Sequence, residues 1–219
     1  MMLNRIDQLT APDHSFIDAD SNCYYFGEYP RGIASDNSSN PMYSLIHNLK
    51  KTCDRRGRPE WQYKLRAIDI CARYIINFFN SVQDLQNYTL IPIPPSKTRD
   101  DELYDSRMHD ILLKVQEAQP LLDVKDVLYT QQELNSHNNS IRPSIQELQS
   151  NYRVDESLII DIRQKIVLFD DVLTTGSHFC AAKNKLVEFI GMRDYKGVFI
   201  ARRVLPIQDD IPLLDILLR

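Results

Sequence analysis

The chain has 219 residues, of which 43% are hydrophobic and 26% charged, with a formal net charge of −4. That length suits one domain with embellishments, or a domain plus a small subdomain, and the composition is that of an ordinary soluble globular protein. The charge removes any electrostatic reason to expect a general nucleic-acid binder, and no apolar run reaches the roughly 18 residues a membrane span requires.

Residues 1–22 are polar, lack periodicity and read as a loosely held arm, with no charged head and apolar run of the secretory kind. The four cysteines, Cys23, Cys53, Cys71 and Cys180, are scattered without zinc spacing and read as reduced thiols of a cytoplasmic protein. Cys23 to Tyr29 is dense in aromatics and predicts a strand ended by Pro30. Met42, Leu45, Ile46 and Leu49 recur at helical spacing, so a short amphipathic helix is expected over 41–51. The loop that follows carries Lys50, Lys51, Arg55, Arg56 and Arg58, a short basic cluster of the kind a solvated loop carries.

A longer helix is predicted from Glu60 to about Val82, its apolar face formed by Leu65, Ile68, Ala72, Ile75, Ile76 and Phe79. Tyr88 to Ile93 reads as a strand, closed by the rigid turn Pro94-Pro95-Ser96-Lys97. A helix over 101–119 then uses Leu103, Met108, Ile111, Leu112 and Val115, with Arg99 and Arg107 flanking its start. A third strand is expected over 126–130. The polar stretch 131–151 that follows is long enough to suggest a functional loop or a mobile connector, and Arg142 is the cation within its Asn- and Ser-rich part.

The most informative stretch is Lys165 to Leu186, KIVLFDDVLTTGSHFCAAKNKL. Ile166, Val167, Leu168 and Phe169 form an unalternated apolar run, as in a strand buried on both faces of a parallel sheet. Asp170 and Asp171 follow, and then Thr174, Thr175, Gly176 and Ser177, small residues able to turn tightly and aim N–H groups and hydroxyls at one point. A helix starting near Ser177 and running to Ile190 adds the positive end of its dipole, so an anion suits the turn. Acids beside an anion site need a second partner, and a phosphorylated sugar with vicinal hydroxyls satisfies both. Such a pattern also fits a plain strand-to-helix connection with a capped helix. Tyr195 to Val204 predicts a further internal strand, and the aliphatic tail 205–219 a packed appendage or an interface, as in a homodimer.

The stretch VLFDDVLTTG closely resembles the ribose-phosphate-binding motif of type I phosphoribosyltransferases. Together with YYFGEYP, NLKK and LIPIPPSK it makes residues 23–204 resemble the ComF family of phosphoribosyltransferase-like proteins, without the four-cysteine zinc ribbon with which members commonly begin. The resemblance implies an α/β fold: a parallel sheet with helices on both faces over 60–204, preceded by a small hood-like subdomain at 23–59. It implies that Asp170 and Asp171 hold the ribose hydroxyls of phosphoribosyl pyrophosphate, and that Thr174, Thr175, Gly176, Ser177 and His178 wrap its 5′-phosphate. His178 stands where the family usually has Thr or Ser.

By the same resemblance Pro95, Ser96, Lys97 and Arg99 bind the pyrophosphate, and Arg142, on a flexible catalytic loop, stabilises its departure. Mg²⁺ is the implied cofactor, bound mainly through the substrate's own oxygens with Asp170 or Asp171 in support. The implied activity is transfer of the phosphoribosyl group to a nucleobase-like small molecule with release of pyrophosphate. A non-catalytic regulator that binds phosphoribosyl pyrophosphate or a nucleotide is the competing expectation, as is a ComF-like accessory of DNA uptake or stress, which would bring in nucleic acid as a partner.

Overall fold

The structure is a computed structural model that describes residues 2–30, 40–134 and 143–205. Its centre is a six-stranded, mostly parallel sheet with helices on both faces. In chain order the strands are β1 (Asn4–Arg5), β2 (Cys23–Pro30), β3 (Tyr88–Pro92), β4 (Asp123–Val124), β5 (Leu128–Thr130), β6 (Tyr152–Val154), β7 (Lys165–Leu173) and β8 (Asp194–Val204). The α-helices among the described residues are α1 (Pro41–Leu49), α2 (Trp61–Phe79), α3 (Arg107–Ala118), α4 (Ile145–Asn151) and α5 (Ser177–Ile190). The main sheet runs β1-β2-β8-β7-β3-β4, with only β1 antiparallel to its neighbour. β5 and β6 pair separately as an antiparallel ribbon.

Successive side chains on a strand point to opposite faces, and β7 shows the result. Val167 and Phe169 join the core beneath α1, α2 and α3, while Ile166 and Leu168 join the core with α5 and the β5–β6 ribbon. Burial on both faces explains why the strand is continuously apolar. The segment 23–59 contributes β2 to the main sheet, paired in parallel with β8, and α1 to one covering layer. Asn40 caps α1 by accepting from the N–H groups of Met42 and Tyr43.

Four expectations are corrected. The arm 1–22 is held firmly: β1 pairs with β2, and Ile6, His14 and Ile17 are buried. The buried stripe of α2 includes Lys64 (2% exposed), not Leu65 (51%), because the Lys64 ammonium donates to the carbonyls of Leu49 and Lys51 and to Asp105. Two otherwise open carbonyls at the end of α1 are thereby satisfied. α3 begins at Arg107 rather than Asp101, since the carboxylates of Asp101 and Asp105 accept from the N–H groups of Leu103 and Arg107 and hold turns there.

The fourth correction concerns 123–154. The strand that extends the parallel sheet is β4, while β5, expected as the third sheet strand, pairs with β6 instead. The stretch expected as a functional loop or a mobile connector contains α4, opened by a capping box between Ser144 and Glu147. Arg142, the rest of 135–142, and the tail 206–219 lie outside the described residues.

Candidate functional site

β2, β8, β7 and β3 run parallel, so Pro30, Val204, Leu173 and Pro92 end at one edge of the sheet. From β3 the chain moves outward to β4, and from β7 it moves the other way to β8, so the strand order reverses between β3 and β7. Ligands of open α/β sheets bind in the crevice at such a reversal, beyond the carboxyl ends of the strands. A small cavity lies there. Its walls include Pro92 to Pro95 at the end of β3 and just beyond it, Tyr104 to His109 around the start of α3, Asp126, and Asp170 on β7.

The adjacent acids are divided by strand alternation, since β7 continues through Leu173. Asp170 keeps part of its surface at the cavity while protein closely surrounds the rest, and one of its oxygens accepts from the Asp171 N–H. Asp171 is 4% exposed and its two oxygens are taken. Lys50 Nζ lies 2.9 Å from Oδ1, and Arg107 reaches Oδ2 through Nη2 (2.6 Å) and Nε (3.1 Å). Arg107 also pairs with Asp105.

The two carboxyls therefore titrate apart. Burial, and next the neighbouring Asp171 charge, push the Asp170 carboxyl up to about 7, against the pull of Lys50 and Arg107. Burial acts to raise Asp171 as well, but Arg107 and Lys50 outweigh it and hold that carboxyl below its usual range. Burial works against the Arg107 charge, yet Asp171 and Asp105 more than offset it and keep the guanidinium protonated. The site thus pairs a carboxylate fixed in its charged form with a carboxyl poised near neutrality.

Beyond β7 the chain turns through Thr174 and Thr175 into Gly176, whose φ of +87° belongs to the left-handed region, and α5 starts at Ser177. The Thr175 hydroxyl lies 3.2 Å from that of Ser177. The N-terminal arm supports this turn. His14 Nδ1 bonds the Thr174 carbonyl, and the Phe16 N–H donates to the Thr175 carbonyl at 2.9 Å. Ile17 lies so close to Gly176 that a Cβ there would sit 2.3 Å from Ile17 Cγ1. His178, in the first turn of α5, shares a 2.7 Å hydrogen bond with the Tyr152 hydroxyl. Burial pushes the Tyr152 hydroxyl up and the His178 imidazole down. With Tyr152 donating to Nδ1, neutral His178 carries its proton on Nε2 as a hydrogen-bond donor.

The residues expected for pyrophosphate are placed unevenly. Pro95 lines the cavity, and its carbonyl accepts from Thr130 Oγ1. Ser96 is exposed. Lys97 is held by Glu133 at 2.8 Å and Asp101 at 3.3 Å, and Arg99 by Asp126 at 2.9 Å with its guanidinium over Tyr129. Neither cation lines the cavity. Arg107, which flanks the start of the helix expected over 101–119, neutralises Asp171. Lys50 and His14 were missed as site residues, because their partners stand far away along the chain.

No group of three or more His, Cys, Asp or Glu side chains able to hold a metal occurs among the described residues. Three carboxylates line the cavity, Asp105, Asp126 and Asp170. Asp105 is paired with Lys64 and Arg107 and Asp126 with Arg99, so among the described residues Asp170 is the one without an ion pair, which suits an ion bound chiefly by the oxygens of a pyrophosphate. No helix among the described residues is long and apolar enough to cross a membrane. Compared with known proteins, the chain matches no family profile and no curated sequence.

Proposed function

We propose that the protein is a type I phosphoribosyltransferase-like enzyme that binds phosphoribosyl pyrophosphate with Mg²⁺ and transfers the phosphoribosyl group to a nitrogenous base. The observation that carries this reading is the meeting, at the strand-order reversal, of an acidic strand end with a left-handed Gly176 turn that opens α5. Such a turn and helix start favour a phosphate, and a carboxylate beside them favours sugar hydroxyls. In this reading Asp170 contacts the ribose, and Thr174 to His178 hold the 5′-phosphate, with His178 donating from Nε2.

Mg²⁺, when bound, supplies charge neutralisation for the pyrophosphate. The C1–O bond of the ribose breaks with its electron pair leaving on pyrophosphate, the ring carbon passing through an oxocarbenium-like state. A ring nitrogen of the acceptor then forms the new C1–N bond, and any proton on that nitrogen passes to solvent. Pro92 to Pro95 form part of the cavity wall.

A second reading, a non-catalytic regulator that binds phosphoribosyl pyrophosphate or a nucleotide, or a ComF-like accessory, is favoured by one observation. Asp171, Lys97 and Arg99 are all engaged by other side chains rather than presented to the cavity. The test is calorimetric titration of phosphoribosyl pyrophosphate with Mg²⁺, followed by assay of pyrophosphate release with a panel of nucleobases. Binding with base-dependent release supports the transferase, and binding without release supports the regulator. Unchanged affinity in the double variant Asp170→Asn, Asp171→Asn would remove the site assignment under both readings.

A further inference from the structure

The basic cluster after α1, read from sequence as a solvated loop, lines a cleft of about 380 Å³ at the carboxyl end of β2. That is the size of a small-molecule site. Tyr29, His47, Lys50, Lys51, Arg55 and Glu60 are among its walls, setting three basic side chains against one acidic one. Glu60 is already paired with Arg55 at 3.1 Å. The cleft is linked to Asp171, because Lys50 both lines it and reaches Asp171 at 2.9 Å.

Two of the lining residues, Tyr29 and His47, are aromatic and are both held by Tyr43. Tyr29 stacks on Tyr43 with centroids 5.4 Å apart and planes 9° from parallel, and Tyr43 stacks in turn on His47 at 16°. Aromatic side chains at the wall suit a further ring, and the Lys and Arg ends offer charge-assisted hydrogen bonds to an anion. Lys50 and Arg55 already meet carboxylates, Asp171 for the one and Asp54 and Glu60 for the other. Among the described residues Lys51 hydrogen-bonds only the neutral side-chain oxygen of Asn48, so an anion adds a charge partner for Lys51.

We propose that this cleft is the acceptor subsite and takes a planar heteroaromatic ring bearing an anionic group, a carboxylate or a phosphate, with the anion held by Lys51 and Arg55. Its role as acceptor subsite rests on the phosphoribosyl transfer proposed above; its affinity for an anion-bearing ring does not. Lys50 links the two sites. An anion in the cleft draws on the same ammonium that neutralises Asp171, so occupancy of the cleft loosens Asp171 for the sugar.

The experiment is calorimetric titration of the full chain with uracil-6-carboxylate and with uridine 5′-monophosphate, each against its neutral counterpart, uracil or uridine. The double variant Lys51→Ala, Arg55→Ala is titrated alongside, with phosphoribosyl pyrophosphate and Mg²⁺ as a separate ligand. We expect one anionic ring to bind at least about tenfold more tightly than its neutral counterpart, and the variant to lose about tenfold or more of that affinity. The variant should keep the wild-type melting temperature and its affinity for phosphoribosyl pyrophosphate, since Arg55 is about half exposed and its pairs lie on the surface.

Which ring binds distinguishes a carboxylate from a phosphate. Equal affinity for charged and neutral rings, no binding of either anionic ring, or an unaffected variant would overturn the proposal. If the anionic ring binds while phosphoribosyl pyrophosphate does not, the cleft stands as a site and the transferase reading falls.

Discussion

Replacing Asp170 by Asn should stabilise the protein above pH 7 and leave it nearly unchanged near pH 4.5. The wild-type carboxyl is pushed up to about 7 in the folded chain, chiefly by burial and then by Asp171, against about 3.9 for an unfolded aspartate. Between those values the folded protein holds a proton that the unfolded chain releases, so stability falls as pH rises and levels off above the folded value. A shift of about three units sets a ceiling of ~4 kcal/mol. Because Asp171, Lys50 and Arg107 share the ionisation, about half of that, ~2 kcal/mol, is the expected gain.

For a chain of this length that corresponds to a rise of roughly 4–8 °C in melting temperature. Asn can keep the hydrogen bond that Asp170 accepts from the Asp171 N–H, so the substitution removes the charge with little change of shape. Urea unfolding of both proteins at pH 4.5, 6, 7 and 8 reads the difference directly. A stability difference that stays flat across this range, or a variant less stable than wild type at pH 8, would refute the reasoning. The gain should come with weakened sugar-phosphate binding, the usual relation between a strained site and its function.

Asp171 acts with the opposite sign: its carboxyl is held below the usual value, so its stabilisation is present above about pH 4 and is lost as pH falls through the folded value. Arg107→Ala should therefore cost ~3–5 kcal/mol at pH 7 by stranding a buried carboxylate, and adding Asp171→Asn should recover part of it in chemical denaturation. Lys50→Ala should cost under ~1 kcal/mol, because that side chain is 46% exposed. Gly176→Ala should destabilise by about 2 kcal/mol or more, through the left-handed φ and the overlap with Ile17. In thermal melts the double variant with Ile17→Ala should lose less than the sum of the single variants, since the overlap disappears while the backbone strain stays.

Features that depend on near neighbours in the chain were legible from the residues alone. The apolar run of β7 and the small-residue turn predicted the strand–turn–helix unit, and the helix expected from Ser177 to Ile190 is the one observed. The alternation of strand side chains also held enough information to separate Asp170 from Asp171, and Ser144 with Glu147 spelled the capping box of α4. Both signals were local, and both were overshadowed by the polar or acidic character of their surroundings.

Other features required the closed chain. Lys64 is buried because the end of α1 and Asp105 converge on it, which no helical periodicity encodes. The arm is anchored by isolated contacts of Ile6, His14 and Ile17, too few and too irregular to leave a pattern. Arg107 meets Asp171 across 64 positions, and Lys50 meets it from α1's far end. The order of residues was enough to write an acid pair and a phosphate-suited turn. Which acid is charged, which faces the cavity, and whether a basic loop is mere surface or the wall of a cleft depended on which distant charges folding brought within 3 Å, because ionic and desolvation energies are set by separation in space, not along the chain.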